Sequence, residues 1–439
     1  MSIEPVHGYT FTNWGETVSE RPKNFFQPAS EDELCAIVGE IARAGSSLRV
    51  VGAGHAWSPV AISDDNMVNL DKLDKLVEVD AAKKRVTVQA GIRLHVLNDA
   101  LAEHGLALSD MGSIAQQSIA GATSTGTHGT GVRRGNMSSY ITGLTLIGAD
   151  GKRTAVDQDR DAELITAARL GLGMLGVVSQ VTLQCEPAFD LEMLAWPMPY
   201  DEAVANLDSL LATNEFVRYY WFAGTDVIQV TTMNPTTKPR THSNKILDYF
   251  KEVVLDTDLL HAFDEVGYWF PGLVGPLDKF SATVGWTREE RVDRSDKILT
   301  ITMPPLHDEC EYAIPVEKTA DVLRALPSFI ASHDYKVNFP MEVRFVKGDQ
   351  QMISPAYGRD SMYLGAYTFG ERFAQPLFAG FEPWMRGFGG RPHWGKTLHL
   401  DAEQARAMYP KYDRFNELRR AMDPKGVFAN AFTREVFGA

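Results

Sequence analysis

The chain has 439 residues, more than one hydrophobic core normally requires, so we expect two domains. Hydrophobic residues make up 44% and charged residues 23% of the sequence, which is typical of a globular protein. The formal net charge of −14 argues against a nucleic-acid partner, which needs a basic face, and against binding to an anionic membrane surface.

The first 187 residues alternate short strands, helices and glycine-rich turns. A capping-box pattern at 30–33, followed by apolar residues at helical spacing, predicts a helix over 31–44. The same periodicity predicts helices at 94–103 and 162–168. β-Branched and alternating runs predict strands at 48–51, 67–70, 76–80, 85–89, 141–147, 154–156 and 177–183.

Near residue 188 the sequence becomes richer in Trp, Tyr, Phe, Met and Pro, which predicts a second α+β domain. Strands are predicted at 221–222, 227–232, 299–303 and 342–346, and helices near 201–212, 316–330 and 411–422. The stretch 233–295 has no clear period and receives no assignment.

Two runs of small residues are candidates for ligand binding, one at 50–56 and one at 111–131. Glycines let a ligand approach the backbone, and successive N–H groups in a turn bind phosphate. Two such cradles suggest a ligand with two phosphates, a dinucleotide. Neither run is the Gly-x-Gly-x-x-Gly fingerprint, which argues against a Rossmann NAD site. The alternative for 111–131 is a flexible linker, but Ile114, Ile119 and His128 are not linker residues.

Charged residues in the second half form another candidate site. Glu342 and Arg344 lie two apart on a predicted strand and so point to one face, where they can bind a polyol or carbonyl substrate. Lys396 follows a stretch of small and aromatic residues that would fix its position. The alternatives are a surface ion pair and a solvated lysine.

Hydrolytic chemistry finds little support. His55, His128, His393 and His399 lack the close spacing of a metal-binding pair, and no Gly-x-Ser-x-Gly elbow occurs, so no metal site is predicted. The three cysteines Cys35, Cys185 and Cys310 are widely spaced, which suggests neither a disulfide framework nor a zinc site. With no signal peptide and no apolar run of about 18 residues, we expect a cytoplasmic protein.

Read together, these motifs resemble a known family. The runs RVVGAGH (49–55) and SIAGATSTGTHGTG (118–131) resemble the FAD-binding half of the vanillyl-alcohol-oxidase flavoprotein superfamily. The runs EVRF (342–345), SPAY (354–357), RPHWGK (391–396) and DPKGVFAN (423–430) resemble its sugar-lactone branch. That branch contains the L-gulono-, L-galactono- and D-arabinono-1,4-lactone oxidases and the alditol oxidases.

The resemblance implies an α+β protein with a two-domain, PCMH-type FAD-binding fold. Residues 1–187 would form the FAD-binding domain, and residues 188–405 a substrate-binding cap domain with an antiparallel sheet flanked by helices. Residues 406–439 would return to the FAD domain. The implied reaction is oxidation of a CH–OH group, with hydride passing to flavin N5 and O₂ reduced to H₂O₂.

The resemblance also implies the site residues. His55 stands where many members bond covalently to the flavin. Glu342, Arg344, Lys396 and Ser113 match the residues on the substrate side. The residues that would line FAD are Val51, Gly52, Ala53, Gly54, His55, Ala56, Gly112, Ser113, Ser118, Gly121, Thr125, Gly126, Thr127, His128 and Val178. Glycine at position 112 favours an oxidase, because a bulkier residue there can hinder oxygen.

Two related substrates remain open, a sugar lactone and a linear polyol. Alditol oxidases have a His and a Thr where this chain, aligned without gaps, has Gly365 and Tyr367. We therefore favour an aldonolactone, whose 2-keto product can enolise to an ascorbate-like enediol. The remaining alternatives are a lactone dehydrogenase that uses another electron acceptor and a flavin-binding protein without turnover. No oligomeric state is predicted.

Overall fold

The structure is a computed structural model that describes residues 4–241 and 258–438. The strands of the first half are β1 Phe11–Thr12, β2 Ser19–Glu20, β3 Asn24–Phe26, β4 Leu48–Val51, β5 Asn66–Asn69, β6 Leu76–Asp80, β7 Arg85–Gln89, β8 Leu106–Ala107, β9 Ile141–Ile147, β10 Arg153–Asp157, β11 Val177–Gln184 and β12 Glu186–Pro187. Those of the second half are β13 Asp190–Pro199, β14 Phe216–Trp221, β15 Val227–Thr236, β16 Glu289–Arg294, β17 Asp308–Pro315, β18 Met341–Val346, β19 Ser361–Thr368 and β20 Arg391–Pro392.

The helices connect and cover these strands. They are α1 Glu31–Arg43, α2 Leu94–Glu103, α3 Ile119–Thr125, α4 Ala162–Ala168, α5 Tyr200–Ala205, α6 Leu207–Thr213, α7 Leu259–Trp269, α8 Val274–Gly285, α9 Ser295–Leu299, α10 Thr319–Ser332, α11 Glu371–Gly387, α12 Ala402–Met408, α13 Tyr412–Met422 and α14 Ala431–Phe437. Within the described ranges, no helix has both the length and the apolar character needed to cross a bilayer.

The first domain is built on two sheets. A parallel sheet has the order β3-β5-β4, and an antiparallel sheet has the order β10-β9-β11-β7-β6. Helix α1 begins at Ser30, whose side chain accepts a hydrogen bond from the Glu33 amide. Its apolar stripe is buried with residues of β4 and β5 in one cluster that also contains Phe428 from the C-terminal segment. The end of β4 is therefore held in place from several sides.

The second domain is built on an eight-stranded antiparallel sheet of order β16-β13-β15-β14-β18-β19-β17-β20. Alternate residues of its central strands point to opposite faces. One face carries Cys310, Val343 and Leu364 and is covered by α5, α6, α10 and α11 in a large apolar cluster. The other face carries Glu311 and Glu342 and lines a cavity. The sheet thus separates an apolar core from a charged surface.

Most predicted elements are confirmed within one or two residues, and the exceptions have identifiable causes. The strand predicted at 299–303 is wrong, because α9 ends at Leu299 and the chain then runs irregularly into Pro304 and Pro305, which lack the N–H that a ladder needs. The helix near 201–212 divides at Asn206 into α5 and α6. Of the strand predicted at 221–222, only Trp221 lies in a strand, as the last residue of β14. The described part of 233–295 contains α7, α8 and β16.

The C-terminal segment packs on the first domain. The Leu48 amide donates to the Val427 carbonyl over 2.8 Å. The Asn430 side chain donates to the carbonyls of Pro59 and Ile62, at 2.8 and 2.9 Å. These contacts hold the turn that follows β4.

Candidate active site

A cavity of about 1020 Å³ lies between the two domains. Both small-residue runs line it on one side and the charged face of the large sheet on the other. The predicted site residues on its wall are Val51, Gly52, Ala53, Gly54, His55, Ala56, Gly112, Ser113, Ser118, Gly121, Thr125, Thr127, His128, Val178, Glu342, Arg344 and Lys396. The structure therefore brings both halves of the predicted site to one place.

The two cradles touch each other. A Cβ on Gly52 would overlap with Ser118 Oγ as it stands, so glycine permits this close approach. Gly54 has φ +75°, in the left-handed region that favours glycine, and its carbonyl accepts a hydrogen bond from the Trp14 amide at 2.7 Å. The N-terminal hairpin is thereby fixed against the first cradle.

The imidazole ring of His55 lines the cavity in its neutral form. Burial, together with the positive charges of Arg93 and Lys396, lowers the pKa of His55 to about 4. Its Nδ1 atom is buried and has no hydrogen-bond partner among the described residues. A neutral imidazole with a free nitrogen is a nucleophile, which is the form that covalent attachment to a cofactor requires.

Two predicted residues have other surroundings. Gly126 lies off the cavity wall and ends α3, where its φ of +82° places it in the left-handed region. His128 belongs to the cavity wall, but the residue is 1% exposed and its ring lies 3.7 Å from the ring of Tyr363 on β19. Its Nδ1 is 2.9 Å from the Gly129 carbonyl, and its Nε2 is 3.3 Å from Glu311 Oε1.

Arg344 is the centre of the buried charges on the sheet face. Its Nη2 donates to Glu311 Oε1 over 2.7 Å, and its Nε lies 3.4 Å from Glu342 Oε2. Its Nη1 donates to the His128 carbonyl over 3.2 Å, which joins the sheet to the second cradle. Burial alone would raise the pKa of Glu342, but Arg344 and Arg218 lower it below its usual range. Both neighbouring carboxylates are therefore ionised and fixed.

Tyr367 adds a hydrogen bond to this group. Its hydroxyl donates to Glu342 Oε2 over 2.8 Å, and its ring lies across the backbone of Gly365. A Cβ on Gly365 would come within 2.6 Å of Tyr367 Cε2. The rings of His307 and Phe339 lie 5.3 and 5.9 Å from that of Tyr367 and narrow this end of the cavity.

Lys396 pairs with a carboxylate that sequence reasoning missed. Its Nζ contacts Glu309 Oε2 and lies 4.4 Å from the centre of the Trp57 ring. Glu309 is 2% exposed, and burial raises its pKa to about 7 against the opposing charge of Lys396. The other oxygen of Glu309 has no partner among the described residues.

Glu309, Glu311 and Tyr367 were not proposed as site residues. In sequence, Asp308-Glu309-Cys310-Glu311 resembles a solvated acidic run, and only its placement on a strand puts Glu309 and Glu311 on the cavity face. The alternation of acidic residues with Cys310, Tyr312 and Ile314 was the available signal.

Three side chains at the inner wall of the cavity lie close enough together to bind a metal ion. Ligand atoms of His128, Glu311 and His393 all lie within 4.8 Å of one another. Arg344 already bonds Glu311, and its guanidinium would repel a cation there. The chemistry of this set therefore favours an ion-pair network.

Known proteins resemble this chain along its whole length. The family model described as D-arabinono-1,4-lactone oxidase matches residues 181–436, and that described as FAD binding domain matches residues 22–157. L-gulonolactone oxidase of Bos taurus is 34% identical over 98% of this chain and 100% of its own length. L-gulono-1,4-lactone dehydrogenase of Mycobacterium tuberculosis is 33% identical over 98% of this chain and 99% of its own.

The fold is shared with a solved structure. Cholesterol oxidase from B. sterolicum superimposes with a TM-score of 0.83 over 98% of this chain and 96% of that chain, at 16% sequence identity. The predicted fold class is confirmed.

Proposed function

Because this chain belongs to the D-arabinono-1,4-lactone oxidase family, we propose that it oxidises a sugar-derived 1,4-lactone at a secondary hydroxyl and reduces O₂ to H₂O₂. The observation that carries this proposal is the single cavity that joins a small-residue cradle to a wall of buried charges. The cradle suits a cofactor with two phosphates, and the charged wall suits a polyhydroxylated substrate.

The residues of the cradle fit FAD. The side chains of Ser118 and Thr127 lie where a Cβ on Gly52 or Gly112 would stand, and the adjoining wall leaves His55 Nδ1 and Gln117 Oε1 buried without a hydrogen-bond partner among the described residues. Unpaired buried polar atoms need a ligand or water. When bound, FAD supplies the two-electron acceptor that takes a hydride from the substrate carbon.

The residues of the inner wall suit the proposed substrate. Arg344 and Lys396 are the positive groups that would stabilise negative charge as the hydroxyl is oxidised. Glu342, held by Tyr367 and Arg344, would accept hydrogen bonds from a hydroxyl. Gly365 and Tyr367 stand where alditol oxidases have a His and a Thr, which favours a lactone over an alditol.

The test is anaerobic reduction of the purified holoenzyme by a panel of 1,4-lactones and linear alditols. We expect the flavin absorbance to bleach with lactones, and peroxide to appear when air is admitted. Arg344→Met should lower kcat/KM by at least about 100-fold, the usual effect of removing a preorganised electrostatic group. Faster bleaching by alditols than by every lactone would contradict the assignment of the substrate.

We also propose that His55 holds FAD covalently. Its neutral ring and unpartnered Nδ1 support this role. Flavin should remain with acid-precipitated wild-type protein and be released from His55→Ala, while the variant of the exposed His104, His104→Ala, keeps it. Covalent flavin retained by His55→Ala would assign the link elsewhere.

The electron acceptor requires its own measurement. A Cβ at Gly112 would lie 2.6 Å from Thr127 Cγ2, so the Thr127 methyl group already occupies the place that a side chain at 112 would take. This contact and the relative named as a dehydrogenase favour a second candidate, a lactone dehydrogenase. Reduced enzyme mixed with air-saturated buffer should reoxidise rapidly if O₂ is the acceptor. Slow reoxidation by oxygen and fast reoxidation by dyes would support the dehydrogenase.

We further propose that the protein works in the cytoplasm. All three cysteines are free, and two of them are buried, which suits a reducing compartment. Fractionation of the source cells with an antibody against the chain would test this location.

A further inference from the structure

We propose that Glu309 accepts the proton of the substrate hydroxyl as the hydride leaves the adjacent carbon. This inference rests on the proposed function and names a catalytic group that neither the motifs nor the family resemblance identified. It assigns different tasks to the three carboxylates of the sheet face, Glu309, Glu311 and Glu342.

The charged partners of the three carboxylates separate their roles. Glu342 accepts from Tyr367 and pairs with Arg344, and Glu311 accepts from Arg344. A carboxylate held by a guanidinium is a weak base, because the ion pair stabilises its charged form. Glu309 instead has Lys396 as its cationic partner on Oε2 and no arginine. Each of the three carboxylates keeps one buried oxygen without a hydrogen-bond partner among the described residues, so what distinguishes Glu309 is the cation beside it, and its Oε1 can accept from a hydroxyl in the cavity.

Proton affinity supports the same division of roles. Burial raises the pKa of Glu309 to about 7, whereas arginine charges hold the pKa values of Glu311 and Glu342 below their usual range. A general base is most effective when its pKa lies near the working pH, where it is ionised and still binds a proton well.

Several groups around Glu309 contribute to its charge state. Lys396 faces it from the loop after β20, Tyr367 from β19 and Arg344 from β18. On its own segment, Glu311 adds negative charge and His307 Nε2 lies 3.9 Å from Oε2. Burial lowers the pKa of His307 to about 3, so that ring is neutral. Lys396 is thus the nearest charge of opposite sign.

The proposed step balances in atoms and electrons. The O–H bond of the substrate breaks, its proton passes to Glu309 Oε1, and its electron pair forms the new C=O bond. The C–H electron pair leaves with the hydrogen as hydride and is taken up by bound FAD. Lys396, beside Glu309, stabilises the negative charge that develops on the substrate oxygen as the proton leaves, until the hydride departs and the C=O bond forms.

The first test measures flavin reduction by the lactone under anaerobic conditions as a function of pH. In the wild type, the rate should rise through an apparent pKa near that of Glu309. Glu309→Gln should slow reduction by about 100-fold or more and abolish this dependence, as expected for loss of a general base. Glu342→Gln should slow reduction but keep the pH dependence. Glu309→Gln with an unchanged profile would overturn the inference.

Asp308→Asn provides a matched control. It removes a carboxyl one position away on the same strand, off the cavity wall, and should keep the rate and the pH profile. Thermal melting of each variant identifies any that fails to fold, and Glu309→Asp should recover part of the rate because it restores a carboxylate.

The second test observes the carboxyl group directly and requires no turnover. Infrared titration of the holoenzyme should show a carboxylic-acid band of Glu309 that ionises near neutral pH, is present in Glu342→Gln and is missing in Glu309→Gln. Burial also raises the pKa of Asp349 to about 7, and its band should be present in all three proteins. A wild-type flavin that no lactone reduces would overturn the proposed function. A Glu309 carboxyl already ionised well below neutral pH would overturn the inference about Glu309.

Discussion

Lys396 controls the charge of Glu309, and removing it tests the pairing of the two side chains. The ammonium contacts the carboxylate and favours its ionised form, so Lys396→Met should raise the pKa of Glu309 by at least about one pH unit. Infrared titration of the holoenzyme would measure the change. The exposed Lys318 offers a control, since Lys318→Met should leave the titration in place. An unshifted titration in Lys396→Met would show that the pair does not persist in solution.

Asp308 makes stability depend on pH. Burial raises the pKa of Asp308 from 3.8 to about 6, so the folded state binds more protons than the unfolded state between these values. Stability contributed by the neutral carboxyl is therefore lost as pH rises from about 4 to about 6, at a cost of about 2–3 kcal/mol.

Asp308→Asn should remove this part of the pH dependence. Urea unfolding at pH 4.5 and pH 7.5 measures how the free energy of unfolding changes with pH. Relative to its value at pH 4.5, the free energy of unfolding at pH 7.5 should be higher in Asp308→Asn than in the wild type. The exposed Asp208 serves as the control, because Asp208→Asn should reproduce the wild-type difference. Equal differences in all three proteins would contradict the assignment.

At the scale of the element, β19 determines how Glu342 is held. Gly365→Ala would place a methyl group within 2.6 Å of the Tyr367 ring and move the hydroxyl away from Glu342. Loss of one hydrogen bond to a charged group costs about 1.5–3 kcal/mol, so kcat/KM for the lactone should fall by about 10- to 100-fold. Tyr367→Phe should cause a similar loss without the steric strain.

Gly387 provides a control for the general effect of adding a methyl group to a glycine. No atom lies within 4 Å of a Cβ placed on Gly387 at the end of α11, so Gly387→Ala should retain full activity. Gly365→Ala with wild-type kcat/KM would show that Tyr367 does not need to lie across that position.

The same elements show why part of the site was predictable and part was not. Helices α1, α2 and α4 could be predicted because their apolar residues recur at helical spacing, which gives each helix one buried and one exposed face. Every residue of β19 is buried, so its sequence has no alternation to detect. Glu342 and Arg344 stand out because charges interrupt an apolar run. Glu309 does not stand out, since its burial depends on strands distant in sequence.

At the scale of the whole molecule, we propose the division into residues 1–187, 188–405 and 406–439. The sheets support it, because β3 to β7 and β9 to β11 form the sheets of the first part and β13 to β20 that of the second. The C-terminal segment contacts the first part through Arg49, which donates to the Phe428 carbonyl over 2.5 Å and to the Leu172 carbonyl over 2.6 Å. The cradle is therefore braced by the end of the chain.

This bracing predicts that a C-terminal substitution weakens cofactor binding. Asn430 caps α14 and also donates to the carbonyls of Pro59 and Ile62, in the turn after the first cradle. Asp401 caps α12 with the same capping-box geometry, but the hydrogen bonds described for its side chain stay within that helix. Replacing either Asn430 or Asp401 by alanine should lower the free energy of unfolding by about 1 kcal/mol, because the helix loses its N-cap.

Asn430→Ala should cost about 1–3 kcal/mol more, because two partly buried carbonyls lose their donor. Urea unfolding measures this difference, and FAD content after gel filtration measures the effect on the cradle in a His55→Ala background, where no covalent link would mask it. Asn430→Ala should release more FAD than Asp401→Ala. Equal retention of FAD by the two variants would show that the cradle keeps its shape without the C-terminal segment, and the brace would then contribute to stability alone.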